Sequence, residues 1–325
     1  MASAVATSDG RFLYVANPAL QAAMVIDTAT SEVIKSVRVG TNPVGPVLLG
    51  PHEKTVWVVS EEAVSVIEVA SHTLVASLPL DNGVSSGLAF APVDGSWRAY
   101  VSSPKDNAVI VIDAETYAVL ARVPVGQAPG RGLVYSKYTD KVYVANTGSQ
   151  NLSVIDVSTN RIVNTIALPR PGFHNIAMTR DGRWLFLDSR YSRWAGDSQI
   201  VVDAAAQSVV ATIDLRPRGR STPANPSRLA FTPDGRLGIS IHKTSPHVTV
   251  IDVAALKVLR TIELKPLSDK VLYRCSVTLS PDGDTAYVTS AVEETITVID
   301  VPTLTVRAIV MTHAPTCGLH YVRRR

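Results

Sequence analysis

Cysteine is nearly absent: Cys275 and Cys317 are the two in the whole chain of 325 residues. Disulfides therefore cannot frame the fold, and the redox compartment stays open. Long apolar runs are missing as well. No stretch approaches the ~18 apolar residues that a spanning helix needs, so no membrane partner is expected. No secretory apolar segment precedes the first repeat. The chain reads as cytoplasmic as written, or as periplasmic or secreted if a targeting segment has been removed. Neither sign of charge dominates, and a net charge of +3 gives no global reason to expect nucleic acid or membrane as a partner. A phosphate-binding glycine loop, a nucleophile elbow and a His-Glu-x-x-His pair are absent too.

What is present is a folded chain's composition, 46% apolar and 18% charged, arranged as a repeat. In Lys141 to Pro169 three short apolar runs follow one another, separated by Asn, Gly, Ser and Asp turn residues. The same unit recurs seven times. Each third strand closes on an acidic residue: Asp27, Glu68, Asp113, Asp156, Asp203, Asp252 and Asp300, at intervals of 41, 45, 43, 47, 49 and 48 residues. Upstream come turn signals such as Ser8 to Arg11, Thr232 to Gly235 and Ser280 to Gly283. A period in the forties with four strand signals per unit is the signature of a propeller blade. The expectation is an all-β chain, one seven-bladed β-propeller domain over residues 1–325. Strands A to D of a blade are exemplified by Leu229 to Phe231, Val142 to Asn146, Leu152 to Ile155 and Ile162 to Leu168. The C-terminal segment Gly318 to Tyr321 matches strand A and is expected to complete the blade of Arg11 to Val39, closing the ring and removing its open edge. Ser3 to Thr7 compete for that place.

The tetrapeptides Tyr14 to Asn17 and Tyr143 to Asn146 resemble those of the YVTN-repeat β-propeller family. So do the Val-Ile-Asp segments and the Gly-x-x-Pro pieces Gly40 to Pro43 and Gly126 to Pro129. The resemblance covers essentially the whole chain and implies the fold. It implies no single activity, because such propellers serve as binding scaffolds, redox-enzyme subunits, nucleic-acid binders, lactonases and lyases.

Connections alternate between the two ends of a blade. The A–B and C–D turns are short and stereotyped, whereas the B–C and D–A loops vary, and variable loops on a rigid scaffold are where binding usually resides. Blades 4 to 6 depart most from the repeat. Their loops carry Arg170, Arg190, Tyr191, Arg193, Trp194, Arg216, Arg218 and Arg220, and the loop from blade 6 to blade 7 carries Tyr273 and Arg274. Guanidinium groups suit carboxylate or phosphate recognition, solvated loops are the plainer alternative, and the interleaved aromatics would also suit single-stranded bases.

At the heads of the A strands, Gly45, Ser86, Arg131, His174, Ser227, Cys275 and Cys317 align, followed by Pro46, Gly87, Gly132, Asn175, Arg228, Ser276 and Gly318. Small residues are the default in such a crowded place. Arg131, His174, Arg228 and the cysteines break it, His320 replaces an alanine, and Asp188 replaces the alanine that ends strand B in other blades. A base, a carboxylate and fixed cations could move a proton on an anionic substrate. Hydrogen-bonded plugs are the alternative. Cys275, Cys317 and His320 could ligate zinc or copper, form a disulfide, or stand as reduced thiols. No cofactor is required.

The reading is a monomeric propeller binding a small anionic molecule at the variable face near blades 4 to 6. Arg131, Arg190, Tyr191, Trp194, His242, Arg274 and His320 would line the site. The rival is an enzyme, a lyase, hydrolase or isomerase, with His174 as base, Asp188 as its orienting partner, Arg228 as electrostatic stabiliser and Tyr273 beside them. A third reading is a platform for single-stranded DNA or protein.

Overall fold

A computed structural model describes residues 4–80, 87–170, 172–189, 197–216, 225–243, 245–264, 274–290 and 292–312. They form seven four-stranded antiparallel sheets, and the fold is a seven-bladed β-propeller. In chain order, strands A to D of blade 1 are Ala4–Ala6, Phe12–Asn17, Ala22–Asp27 and Glu32–Arg38. Blade 2 is Val47–Leu49, Thr55–Val59, Ala63–Glu68 and Thr73–Pro79, and blade 3 is Leu88–Val93, Ser96–Ser103, Ala108–Asp113 and Val119–Pro124. Blade 4 is Pro129–Ser136, Lys141–Asn146, Asn151–Asp156 and Arg161–Ala167, and blade 5 is Phe173–Met178, Trp184–Ser189, Ser198–Asp203 and Ser208–Asp214. Blade 6 is Pro226–Phe231, Leu237–His242, His247–Asp252 and Lys257–Glu263. Blade 7 is Arg274–Leu279, Thr285–Ser290, Thr295–Asp300 and Thr305–Met311. Two compact units result, one carrying blades 1 to 4 and the other blades 5 to 7 with Ser136–Thr139. Among the described residues no helix is long and apolar enough to cross a membrane.

The acidic ladder read from the sequence has a local cause. In blade 4, Asp156 Oδ1 accepts the backbone N–H of Ser158 at 3.0 Å and of Thr159 at 2.9 Å, turning the chain from strand C to strand D. Four residues after each acid stands a left-handed residue: Ser31, His72, Tyr117, Asn160, Gln207, Leu256 and Leu304. The C–D register then slips by one residue at the same place in every blade, as between Val154 and Ile155 and between Val250 and Ile251. Such a bulge strengthens the twist and re-aims the outer strand.

The A–B turns of blades 1, 5, 6 and 7 are built from Thr/Ser-x-Asp-Gly. In blade 6, Thr232 Oγ1 donates to Asp234 Oδ1 at 2.6 Å and accepts Leu237 N–H at 3.0 Å, while Arg236 N–H donates to Asp234 Oδ1 at 3.0 Å. The glycine that follows takes φ +72° there and +85° at Gly182, where a side chain would be strained.

Blade 1 contains the same turn, with Thr7 Oγ1 donating to Asp9 at 2.6 Å. This corrects the expectation that the C-terminal segment supplies strand A of the first blade. Ala4 pairs with Val15, Val5 with Tyr14 and Ala6 with Leu13, so the place beside Phe12–Asn17 is taken. A hairpin closed by a short turn loses far less chain entropy than a pairing between the two ends of the chain. Gly318 to Tyr321 lie outside the described residues.

Apolar cores lie between consecutive sheets of each unit. Trp57 packs edge-on against Phe90, with centroids 5.4 Å apart, between blades 2 and 3. Phe186 meets Phe231 at 5.2 Å between blades 5 and 6. The tyrosine of the repeated tetrapeptide is a latch. Tyr14 OH reaches His72 Nδ1 of blade 2 at 2.7 Å. Tyr100, its equivalent in blade 3, donates to Asn160 Oδ1 of blade 4 at 3.0 Å. Burial lifts both phenols to about 12, so both stay neutral.

Candidate functional site

The alignment of strand heads is visible in the register of blades 5 to 7. Strand A of each carries a one-residue irregularity, between Phe173 and Asn175, Pro226 and Arg228, and Arg274 and Ser276. His174, Ser227 and Cys275 are thus the equivalent extra residues of three consecutive blades. The next residues pair across to strand B: Asn175 with Asp188, Arg228 with Ile241, Ser276 with Thr289. Asn175 Nδ2 donates to Ser227 O at 3.1 Å, tying the head of blade 5 to that of blade 6.

Asp188 is the unusual member of this level. Its equivalents are Ala16, Ala145, Ile241 and Thr289, facing Ala23, Leu152, Val248 and Ile296 on strand C; in blade 5 the pair is Asp188 and Gln199. Asp188 is 1% exposed and Gln199 fully buried. Gln199 Nε2 donates to Asp188 Oδ1 at 2.5 Å. Loss of hydration pushes the Asp188 carboxyl up to about 6, against the Gln199 hydrogen bond and the positive charge of Arg228, which both favour the carboxylate. Asp188 is therefore held by Gln199 and not by His174, the partner expected from the sequence. Gln199 Oε1 is buried without a hydrogen-bond partner among the described residues, an incompletely satisfied position.

The side of blade 5 that bears Asp188 and Gln199 also bears Phe186 and Val201, which pack on Leu229, Phe231 and Ile251 of blade 6. Alternation along the strands puts Ser240, His242, His247 and Thr249 on the facing side of blade 6. All four are buried. His242 Nε2 and Thr249 Oγ1 are 2.9 Å apart, the two imidazoles stand 4.4 Å apart centre to centre, and Ser245 Oγ bonds His247 Nδ1. The interface between blades 5 and 6 is thus apolar toward the A–B turns and polar toward the B–C and D–A loops.

Of the other expected site residues, His174 is half-buried in its irregularity and Arg228 is exposed. Arg131 belongs to the first unit, where its Nη2 donates to Val44 O at 2.9 Å. Arg274 and Cys275 open strand A of blade 7, but their side chains lie outside the described residues, as do Arg190, Tyr191, Trp194, Tyr273, Cys317 and His320. Among the described residues no three metal-ligating side chains converge.

Two loop arginines expected to face a ligand are engaged by their own chain. Arg170 donates to the Ser198 carbonyl at 3.1 Å and to its hydroxyl. Arg216 grips Asp214, with Nη2 at 2.7 Å from Oδ2, and lies 3.5 Å from Asp197. Gln199, Ser240, His247 and Thr249 were not foreseen as a group. Gln199 and Ser240 were signalled by being polar where the neighbouring blades carry aliphatic residues, whereas His247 and Thr249 stand at positions that are polar in blade 7 as well, Thr295 and Thr297.

No family model matches the chain. It is 27% identical over 316 residues to the seven-bladed β-propeller protein Rv1057 of Mycobacterium tuberculosis, covering 95% of this chain and 74% of that protein. The uncharacterized protein YncE of Salmonella typhimurium is 26% identical over 191 residues, 57% of this chain and about half (48%) of YncE. In structure the chain is similar to the dihydro-heme d1 dehydrogenase NirN in complex with DHE, with a TM-score of 0.77 at 16% identity. That likeness covers 94% of this chain and 65% of NirN. With its seven blades and these likenesses, the chain is a β-propeller protein similar to Rv1057 over nearly its whole length.

Proposed function

We propose that the chain is a ligand-binding propeller of the YVTN-repeat type and takes a small organic anion at the B–C/D–A end of blades 5 and 6. The observation that carries this reading is the buried Asp188 carboxyl standing in the field of the exposed Arg228, at a level where other blades hold apolar or small residues. Arg228 supplies a fixed cation with a forked donor geometry suited to carboxylate or phosphate. The polar layer behind it, from Gln199 to His242, offers hydrogen-bonding groups in place of a dry core. NirN, a likeness by fold, is named for its action on dihydro-heme d1, which supports small-molecule recognition as a use of such scaffolds and nothing finer.

The arrangement makes binding proton-linked. Arg228 helps Asp188 to ionise. An anion that neutralises Arg228 weakens that help, so the complex holds more protons than the free protein and affinity rises as pH falls toward 6. The test is isothermal titration with a panel of mono- and dicarboxylates and phosphate esters at about pH 5.5, 7 and 8.5, which bracket the Asp188 transition. The reading expects at least one saturable ligand whose affinity drops tenfold or more in Arg228→Ala, and whose pH dependence flattens in Asp188→Asn. A panel ligand that binds equally well to Arg228→Ala refutes it. An enzymatic version of the same site is favoured by one fact: a carboxyl poised near 6 can both give and take a proton at neutral pH. Asp188, not His174, would then be the proton-transferring group.

A further inference from the structure

At the opposite end of the same blades, where the stereotyped A–B and C–D turns lie, the second unit contains a hollow of about 770 Å³. That volume is in the range of small-molecule sites. Its floor is apolar, with Trp184, Leu237 and Val253, and Leu259 stands at its open edge, 49% exposed. Lys137, Arg180 and Arg236 reach it from the A–B turns of three blades, and all three are exposed.

Acids are present too, and each turns its Oδ1 to its own turn. Asp181 Oδ1 accepts Thr179 Oγ1 at 2.6 Å and Arg183 N–H at 3.1 Å. Asp234 does the same with Thr232 and Arg236 N–H, and Asp252 Oδ1 accepts Ala255 N–H at 2.9 Å. Lys137, Arg180 and Arg236 make no hydrogen bond or ion pair through their side chains among the described residues. Three uncommitted cationic donors thus reach the hollow, beside the second carboxylate oxygens of Asp181, Asp234 and Asp252.

The walls are preset. Ser136 Oγ donates to Gly182 O at 2.5 Å, locking the turn of blade 5 onto the segment that carries Lys137. A methyl group on Gly283 would meet Pro233 Cδ at 2.6 Å, so the turn of blade 7 abuts the other wall. A preformed apolar floor with uncommitted cations at its rim fits a ligand with an aromatic or aliphatic body and one acidic group.

We infer that this hollow is a second binding site, for an amphipathic organic anion, separate from the site at the other end of blades 5 and 6. The probe is 8-anilinonaphthalene-1-sulfonate, titrated into the full-length folded chain with excitation of tryptophan. Saturable one-to-one binding with sensitised probe emission is expected. Affinity should fall at least tenfold in Arg180→Ala/Arg236→Ala and, independently, in Leu259→Glu, which sets a carboxylate at the mouth. Arg122→Ala, which removes an exposed cation of blade 3, should leave it unchanged. Melting curves report whether each variant is folded. Absence of saturable binding, or equal affinity in the double variant or in Leu259→Glu, overturns the assignment.

Discussion

Replacing Asp188 by asparagine should stabilise the protein, and only above acid pH. The carboxyl is buried and its folded value is about 6, against 3.8 for the free side chain. A raised carboxyl binds more protons in the folded than in the unfolded state between those two values, so stability falls as pH rises through that window. With about 1.36 kcal/mol per unit, the wild type gives up about 3 kcal/mol on going from about pH 4 to pH 8 because of this one group. The substituted amide keeps the acceptor for Gln199 Nε2 and has no carboxyl proton to lose. The variant should therefore match the wild type near pH 4 and exceed it by up to about 3 kcal/mol near pH 8, a melting shift of roughly 4 °C for a chain of this size. Scanning calorimetry of both proteins at half-unit steps of pH measures the difference directly. A difference that does not change with pH, or one that turns against the Asp188→Asn variant as pH rises, would show that Asp188 is not a strained carboxylate. It would then lose its claim to be kept for function at the expense of stability.

Two further outcomes test the scaffold by thermal or urea unfolding. Gly182→Ala should cost more than Gly235→Ala. Both positions are left-handed, with φ of +85° and +72°, but the new methyl meets Ser136 Oγ at 3.0 Å and Tyr138 N at 3.1 Å in the first and nothing within 4 Å in the second. The second should lose about 1 kcal/mol from the left-handed backbone alone. Tyr100→Phe removes the latch to Asn160 and should cost about 1 kcal/mol with the fold intact; no loss would mean that the phenol contributes through its ring only.

Much of the blade was legible because the repeat is written in local chemistry. Asp156 and its six counterparts mark a turn that needs an acceptor, and the alternation of Val142, Val144 and Val154 needs a partner sheet on each side. The order of strands follows from the turns alone. The one misplaced element, strand A of blade 1, is hard to read because Ala4–Ala6 is three small residues with no periodicity of its own. Yet Thr7, Asp9 and Gly10 are the same turn as Thr232, Asp234 and Gly235, and that turn requires a strand on its N-terminal side. For the site, aligning strands A and B singles out His174, Arg228 and Asp188 at one level. The neighbour that bonds Asp188 sits on strand C, eleven residues away across a loop, and its polarity is masked by a run of apolar neighbours. His242 stands out in the sequence only as an isolated histidine. That it faces blade 5 together with His247 and Thr249 depends on which side of a sheet meets which neighbour, and packing decides that.

The most direct test of the anion site is a crystal structure of the protein with the tightest-binding acid from the ligand panel. Its acidic group should lie within hydrogen-bonding distance of the Arg228 guanidinium, at the B–C/D–A end of blades 5 and 6. Density for the acid elsewhere, with Arg228 bonded only to its own chain, would contradict the assignment.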